Sequence, residues 1–256
     1  MIRIERDGAI ARVIVDRPEA RNAMTFAMWE QLREAALALD ADEGVRVVVI
    51  TGSGDKAFIA GTDIAEFQAF TSAEDGIAYE RRIEAVIAAL EAIRVPTIAA
   101  IAGACTGGGV SVAATCDIRI GEPDVRVGIP IARTLGNIVS LRNVARLSEI
   151  IGTDAAKLLL LTGRLLDADA AVRAGFLTEL AESTKALAMH ARSVAESLLA
   201  LAPLTQRASK EIVRRLRDTE NLAPADDMIR LCYGSDDFRE GLRAFLDKRK
   251  PNWTGR

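Results

Sequence analysis

The sequence predicts an α/β domain built on parallel strands, and three observations carry that expectation. Residues 45–50 (VRVVVI) and 97–101 (TIAAI) are mostly apolar β-like runs, the pattern of strands buried on both faces. A long stretch of helical periodicity separates them, and parallel strands need such a crossover. Two glycine-bearing segments, FIAGTDI over 58–64 and GACTGGG over 103–109, each follow a β-like run and precede a helix-like one.

Taken in order, residues 2–4 and 10–15 are short β-rich runs around Asp7-Gly8, which reads as a hairpin turn. Arg17-Pro18 breaks the second strand. Thr25 is placed to cap a helix whose apolar residues, Met28, Leu32, Ala35, Ala36 and Leu39, recur at helical spacing; residues 42–44 end it. The strand at 45–50 follows, then a helix over about 73–93 that Pro96 stops. The strand at 97–101 leads into the triple glycine, a short helix through Ala114 and a further strand at 117–120. Beyond about Arg142 the periodicity turns helical, through Leu161, 168–174, 186–201 and 206–216, with no strand expected. A short charged helix over 236–249 closes the chain before Pro251. We place a boundary near 193–203, giving a core over residues 1–195 and a C-terminal helical region over 196–256.

Composition narrows the function. A length of 256 residues suits one large domain or one domain with a smaller appendage. The formal net charge is −3 and no basic run occurs, which argues against nucleic acid as a partner. The three cysteines, Cys105, Cys116 and Cys232, form no CxxC pair and are odd in number, so a reducing compartment is expected rather than a disulfide or zinc framework. The first residues carry charges throughout and lack an apolar leader, and no apolar stretch reaches the roughly 18–20 residues of a membrane span. A cytoplasmic protein without metal or redox cofactor is the expectation.

The glycine segments carry the chemistry. Each can present free backbone N–H groups to a ligand oxygen, and two such donors converging on one carbonyl make an oxyanion hole. Gly108 falls at a helix start, where unpaired N–H groups and the helix dipole favour an anion. Without a Cβ it lets a ligand approach the backbone closely.

With these segments the chain resembles the crotonase superfamily, the enoyl-CoA hydratase/isomerase relatives. The matching pieces are Asp16-Arg-Pro18 with Asn22-Ala-Met24, the two glycine segments, Cys116-Asp-Ile118, Leu161-Thr-Gly163 with Ala174-Gly175, and the ending that runs from Glu240-Gly-Leu to Lys250-Pro. They occur in family order and nearly span the chain. The resemblance implies a spiral of repeated ββα units, assembled as a homotrimer or homohexamer, and an acyl-CoA ligand in which coenzyme A is part of the substrate. It assigns the backbone N–H groups of Thr62 and Gly108 to the oxyanion hole. It places Arg21, Ala23 and Ala60 along the CoA, and it puts Phe245 and Lys248 at the adenine nucleotide bound to a neighbouring subunit. The C-terminal region would then serve oligomerisation and CoA covering. A lysine frequent in relatives is replaced here by Ala65.

The departures are as informative. Hydration of an enoyl thioester needs a group to deprotonate water and a proton for the α-carbon. The two glutamates that do this in typical hydratases of the family correspond here to Ser111 and Ile129. General acid–base groups are worth about 10²–10⁴-fold each, so this chain is expected to polarise a thioester yet hydrate it poorly. Replacements are sought in residues 130–140, where Arg133, Thr134 and Asn137 are the polar candidates. Arg133, a planar donor fork, suits a substrate carboxylate, and loss of CO2 from a 3-carboxyacyl thioester would give an enolate without a base. Isomerisation, hydrolysis and a catalytically silent acyl-CoA-binding protein remain alternatives.

Other residues have plainer readings. Asp63 caps a helix, and Ser111 orients a water or simply packs. Asp117 bonds backbone at a strand start, and Glu122 and Asp124 are expected to be solvated. His190, the single histidine, is read as a surface or core residue, Cys105 as a buried thiol, and Tyr233 as lining the acyl end or packing. Residues 52–57 (GSGDKA) match a dinucleotide fingerprint after a strand, but Phe58-Ile-Ala-Gly61 follows where that fingerprint's helix should already run.

Overall fold

The chain alternates between two sheets, and that alternation builds the site. The computed structural model describes residues 1–216, 235–237, 240, 241, 244 and 247–256. Strands β1 (Ile2–Asp7) and β2 (Ile10–Val15) form the hairpin, followed by helix α1 (Phe26–Ala41). Three strand pairs then each lead into a helix: β3 (Val47–Gly52) and β4 (Ala57–Ile59) into α2 (Ala73–Glu91); β5 (Thr97–Ile101) and β6 (Ala104–Thr106) into α3 (Gly108–Thr115); β7 (Ile118–Gly121) and β8 (Arg126–Gly128) into the one-turn α4 (Ile131–Thr134). Helices α5 (Leu141–Ile151), α6 (Thr153–Thr162) and α7 (Ala168–Arg173), strand β9 (Glu179–Leu180), and helices α8 (Thr184–Leu199) and α9 (Pro203–Arg215) follow.

The first strand of each pair joins a six-stranded sheet of order β1-β2-β3-β5-β7-β9, and the second joins a three-stranded sheet of order β4-β6-β8. Among the described strands, β1 and β2 pair antiparallel and the other strand pairs are parallel. This is the expected spiral of ββα units. Because side chains alternate along a strand, β3 and β5 feed two cores. Val48, Ile50, Ala99 and Ile101 face α1, α2 and α3 in the main core, whereas Val47, Val49, Ile98 and Ala100 face Leu187, Ala191 and Ala195 of α8.

The structure corrects several expectations. Residues 142–216 do contain a strand: the two-residue β9 extends the large sheet beside β7. The short strand β6 lies within the expected glycine loop, and β8 lies in a stretch to which the sequence reading assigned no element. Residues 52–57 end β3, turn, and enter β4 rather than a helix, which removes the dinucleotide match. Glu122 is not solvated but only 1% exposed. It accepts the Gly103 and Asp124 N–H groups, both at 2.8 Å, and the Thr184 hydroxyl at 3.0 Å, so it ties the β5–β6 corner to α8. Asp124 is exposed.

Other readings agree with the fold. The Thr25 hydroxyl accepts the Met28 N–H at 3.2 Å and caps α1. Asp117 accepts the Thr97 N–H at 2.7 Å and the Lys210 ammonium at 2.8 Å, binding a strand start to α9. His190 pairs with Glu179 at 2.6 Å. Residues 193–203 hold the end of α8 and the turn into α9; the domain division placed there stays an expectation. Of the helix expected over 236–249, residues 236, 237, 240, 241 and 244 are helical. Among the described residues no helix is long and apolar enough to cross a membrane.

Candidate active site

Asn22 is fully buried with φ +56° and fixes the first wall of the site. Its amide donates to the Ser53 and Ala57 carbonyls at 3.0 and 2.7 Å, and its oxygen accepts the Arg17 N–H at 3.0 Å. The chain then bridges alongside residues 61–63: the Met24 N–H donates to the Gly61 carbonyl at 2.8 Å, and the Asp63 N–H donates to the Met24 carbonyl at 2.9 Å. Backbone groups of an extended segment alternate in direction. With residues 61 and 63 turned to Met24, the Thr62 N–H points the other way.

The second wall is the start of α3. Gly107, with φ +54°, is the cap residue and Gly108 the first helical residue. The two walls touch: a Cβ built on Gly61 would stand 3.7 Å from the Gly108 nitrogen. Gly109 packs so tightly that a Cβ there would lie 2.1 Å from the Ile59 carbonyl oxygen. Neither the Thr62 nor the Gly108 N–H has a hydrogen-bond partner among the described residues. Both residues line one cavity of about 110 Å³.

The Thr62 side chain is held from two sides. The Trp29 indole N–H donates to its hydroxyl oxygen at 3.0 Å, and the Tyr79 hydroxyl lies 2.6 Å away. Burial pushes the Tyr79 phenol up to about 12, against the Thr62 bond that favours ionisation, so it stays neutral. Tyr79 also joins Phe26, Phe67 and Phe70 in an aromatic cluster, with Phe67 and Tyr79 at 4.9 Å between ring centroids; both line the cavity. Neither Trp29 nor this aromatic wall was anticipated, because each reads in sequence as ordinary core.

Glu80, beside Tyr79 on α2, also lines the cavity. Its Oε2 accepts the Ser140 N–H at 2.8 Å. Desolvation raises its carboxyl above the usual range and Glu84 adds to the shift, while the Ser140 N–H opposes it.

Of the candidates from the sequence, Ala60, Thr62, Gly108, Ser111, Thr134 and Asn137 line the cavity. Arg133 does not, and is exposed. In the one-turn α4, Ile131 and Thr134 share the cavity face at a spacing of three, which turns Arg133 outward. The carboxylate-binding role expected of Arg133 is therefore withdrawn. Ile129 packs in the main core, 1% exposed, and Ala65 is exposed.

Arg21 is exposed beside a neighbouring groove of about 260 Å³ that Lys56 also lines, and Ala23 is half-buried next to it in sequence. Lys248 is exposed with φ +55°; Phe245 and Tyr233 lie outside the described residues. Asp63 accepts the Ala65 N–H at 3.1 Å, as a cap does, and the Arg17 guanidinium 2.6 Å away holds its carboxyl below the usual range. Two roomier grooves, of about 670 and 740 Å³, border the outer face of the large sheet and α5. Neither contains a glycine-segment donor, so volume alone does not identify the site.

The thiols near the glycine loop are inert by placement. Cys105 is fully buried and Cys116 is 3% exposed; burial pushes both up, Cys116 to about 12. We expect iodoacetamide at neutral pH to leave both unmodified until the protein is unfolded, as read by peptide mass mapping. Labelling of native Cys105 would contradict this placement.

Comparisons with known proteins identify the family and the fold. A family model described as enoyl-CoA hydratase/isomerase matches residues 5–256. The crotonyl-CoA hydratase of Syntrophomonas wolfei is 32% identical over 256 aligned positions, spanning 99% of this chain and 97% of that protein. The crystal structure of an enoyl-CoA hydratase/carnithine racemase from Magnetospirillum magneticum superposes with a TM-score of 0.94 at 35% identity, covering 100% of this chain and 96% of that one. The enoyl-CoA hydratase of Bacillus anthracis superposes with a TM-score of 0.90 at 28% identity, covering 100% and 99%.

Proposed function

Because the chain belongs to the enoyl-CoA hydratase/isomerase family, we propose that it is an acyl-CoA enzyme that stabilises a thioester enolate between the Thr62 and Gly108 N–H groups. The observation that carries this reading is the pair of unpaired N–H groups on touching segments of one cavity. When the α-carbon loses a proton, charge moves to the thioester oxygen. Two fixed donors meet it there without having to reorganise, in a site walled by Phe67, Tyr79 and Ile83.

Trp29 and Tyr79 hold the Thr62 hydroxyl and so keep its backbone in place. No cofactor is required by this chemistry. The groove beside Arg21 and Lys56 suits the phosphates of CoA, with Ala23 and Ala60 along the connecting chain and Phe245 and Lys248 from a neighbouring subunit of a trimer or hexamer. The C-terminal residues 196–256 would then cover the CoA and join the subunits.

Direct hydration is a poor fit. Ser111 is 5% exposed and lines the cavity, but it has no acid–base range at neutral pH, and Ile129 is core. The test is to measure acyl-CoA binding by calorimetry and crotonyl-CoA hydration by loss of enoyl absorbance. We expect clear binding with hydration at least about 10²-fold below the median enzyme turnover of about 10 s⁻¹. Ordinary hydration rates would show that another pair of groups activates water; absence of binding would remove the acyl-CoA reading. Ser111 and Ile129 also admit a thioester-binding protein without chemistry, which proton exchange at the bound ligand separates from an enzyme.

A further inference from the structure

We propose that the Glu80 carboxylate moves the proton at the thioester α-carbon, working from α2 rather than from the two positions that Ser111 and Ile129 occupy. This rests on the acyl-CoA reading above and names the group that reading lacks. Among the described residues lining the cavity, Glu80 is the one carboxylate, and Tyr79 is the one other titratable side chain. Tyr79 has its hydroxyl against Thr62 and remains a neutral phenol, a weak base. On α2, Tyr79, Glu80 and Ile83 fall within an arc of about 100° at helical spacing, and all three line the cavity.

The two oxygens of Glu80 have different surroundings. Oε2 accepts the Ser140 N–H at 2.8 Å, while Oε1 has no hydrogen-bond partner among the described residues. The nearby cation is committed elsewhere: Arg146 donates to both oxygens of Glu84, at 2.8 and 3.0 Å. Among the described residues, Glu80 is thus anchored through one oxygen, free at the other and without an ion-pair partner. Its raised carboxyl pKa makes it a stronger base than an ordinary surface glutamate.

The step balances on these groups alone. Oε1 takes the proton from the α-carbon, and the C–H electron pair becomes the double bond between the α-carbon and the carbonyl carbon. The carbonyl π pair moves to oxygen, where the Thr62 and Gly108 N–H groups hold the charge. The protonated Glu80 then returns a proton to the α-carbon or, in an unsaturated chain, to the γ-carbon. One carboxylate serves both halves of such a double-bond shift. Water addition needs a further group to deprotonate the water. The substrate class that fits is therefore an acyl-CoA whose reaction is a proton relocation next to the thioester.

The plainer role for Glu80 is to pin the chain at Ser140, and one substitution separates the two. Glu80→Gln keeps an amide oxygen for the Ser140 N–H but cannot accept the proton. The full chain is incubated with butyryl-CoA in D2O, α-deuteration is followed by NMR, and butyryl-CoA binding is measured by calorimetry. We expect the wild type to exchange the α-protons, and Glu80→Gln to bind comparably and melt at a similar temperature while exchanging about 10²–10⁴-fold more slowly. Should Glu80→Gln not fold, Glu80→Asp carries the test, since its carboxylate sits one methylene further back; an undiminished rate overturns the proposal. Wild-type binding without exchange, or equal exchange in Glu80→Gln, overturns the role of Glu80 and leaves the acyl-CoA reading standing. Absence of butyryl-CoA binding overturns both.

Discussion

Gly108→Ala is expected to lower turnover of acyl-CoA, or α-proton exchange, by about 10²–10³-fold. The added Cβ would stand 2.7 Å from Cζ2 and 2.9 Å from Cη2 of Trp29, closer than carbon atoms approach. Trp29 is fully buried and cannot swing into solvent, so either the ring or the start of α3 must move. If the ring moves, the hydrogen bond from its indole N–H to Thr62 is strained; if α3 moves, the Gly108 N–H leaves its place. One methyl group therefore disturbs both arms of the proposed oxyanion hole. Overpacking should also cost about 1–3 kcal/mol of stability, so kinetics must be compared on protein shown to be folded by circular dichroism. Gly76→Ala is the control: no atom lies within 4 Å of a Cβ at that helical glycine, and activity should be unchanged. A Gly108→Ala protein with full turnover would rule out this oxyanion hole.

The legibility of this site in the sequence follows from what each residue needs. Gly108 was marked as a candidate donor by a local feature, a helix start with glycine, which is written along the chain, whereas Thr62 was assigned through the family resemblance. The strands at 97–101 and 45–50 were visible because burial on both faces leaves an uninterrupted apolar run. Strands β6 and β8, at three residues each, are too short for any periodicity to register. Glu80 could not be recognised, since next to Arg81 and Arg82 it looks like one more charge on the wet face of an amphipathic helix. Only the packing of α2 beside α3 brings it to the cavity. Arg133 misled for the complementary reason: its chemistry suited the loop, but the phase of a single helical turn decides which way it faces. Glu122 is similar, because the N–H groups that hold it come from residues 103 and 124, and Thr184 joins them across the fold.

Arg146→Ala is expected to destabilise the protein by about 3–5 kcal/mol, the largest loss predicted for any single side chain here. Arg146 is 4% exposed. Its guanidinium meets both oxygens of Glu84 at 2.8 and 3.0 Å, Glu91 at 2.9 Å and the Asn143 side chain at 3.2 Å. Truncation removes this cation from Glu84, a largely buried carboxylate on α2 that meets it through both oxygens, and the cost comes chiefly from that charge left without its cation in a poorly solvated place. Adding Glu84→Gln to Arg146→Ala should therefore recover much of the loss in urea unfolding, because the Glu84 charge no longer needs compensation. If lost packing of the arginine stem dominated instead, the double variant would be no more stable than Arg146→Ala. The cluster also reaches the site: Glu84 accepts the Ser140 hydroxyl at 3.3 Å, and the Ser140 N–H holds Glu80. In protein kept folded below its unfolding transition, Arg146→Ala should therefore slow α-proton exchange as well, by less than Glu80→Gln. The carboxylate that carries the proton would still be present, and only its anchor loosened.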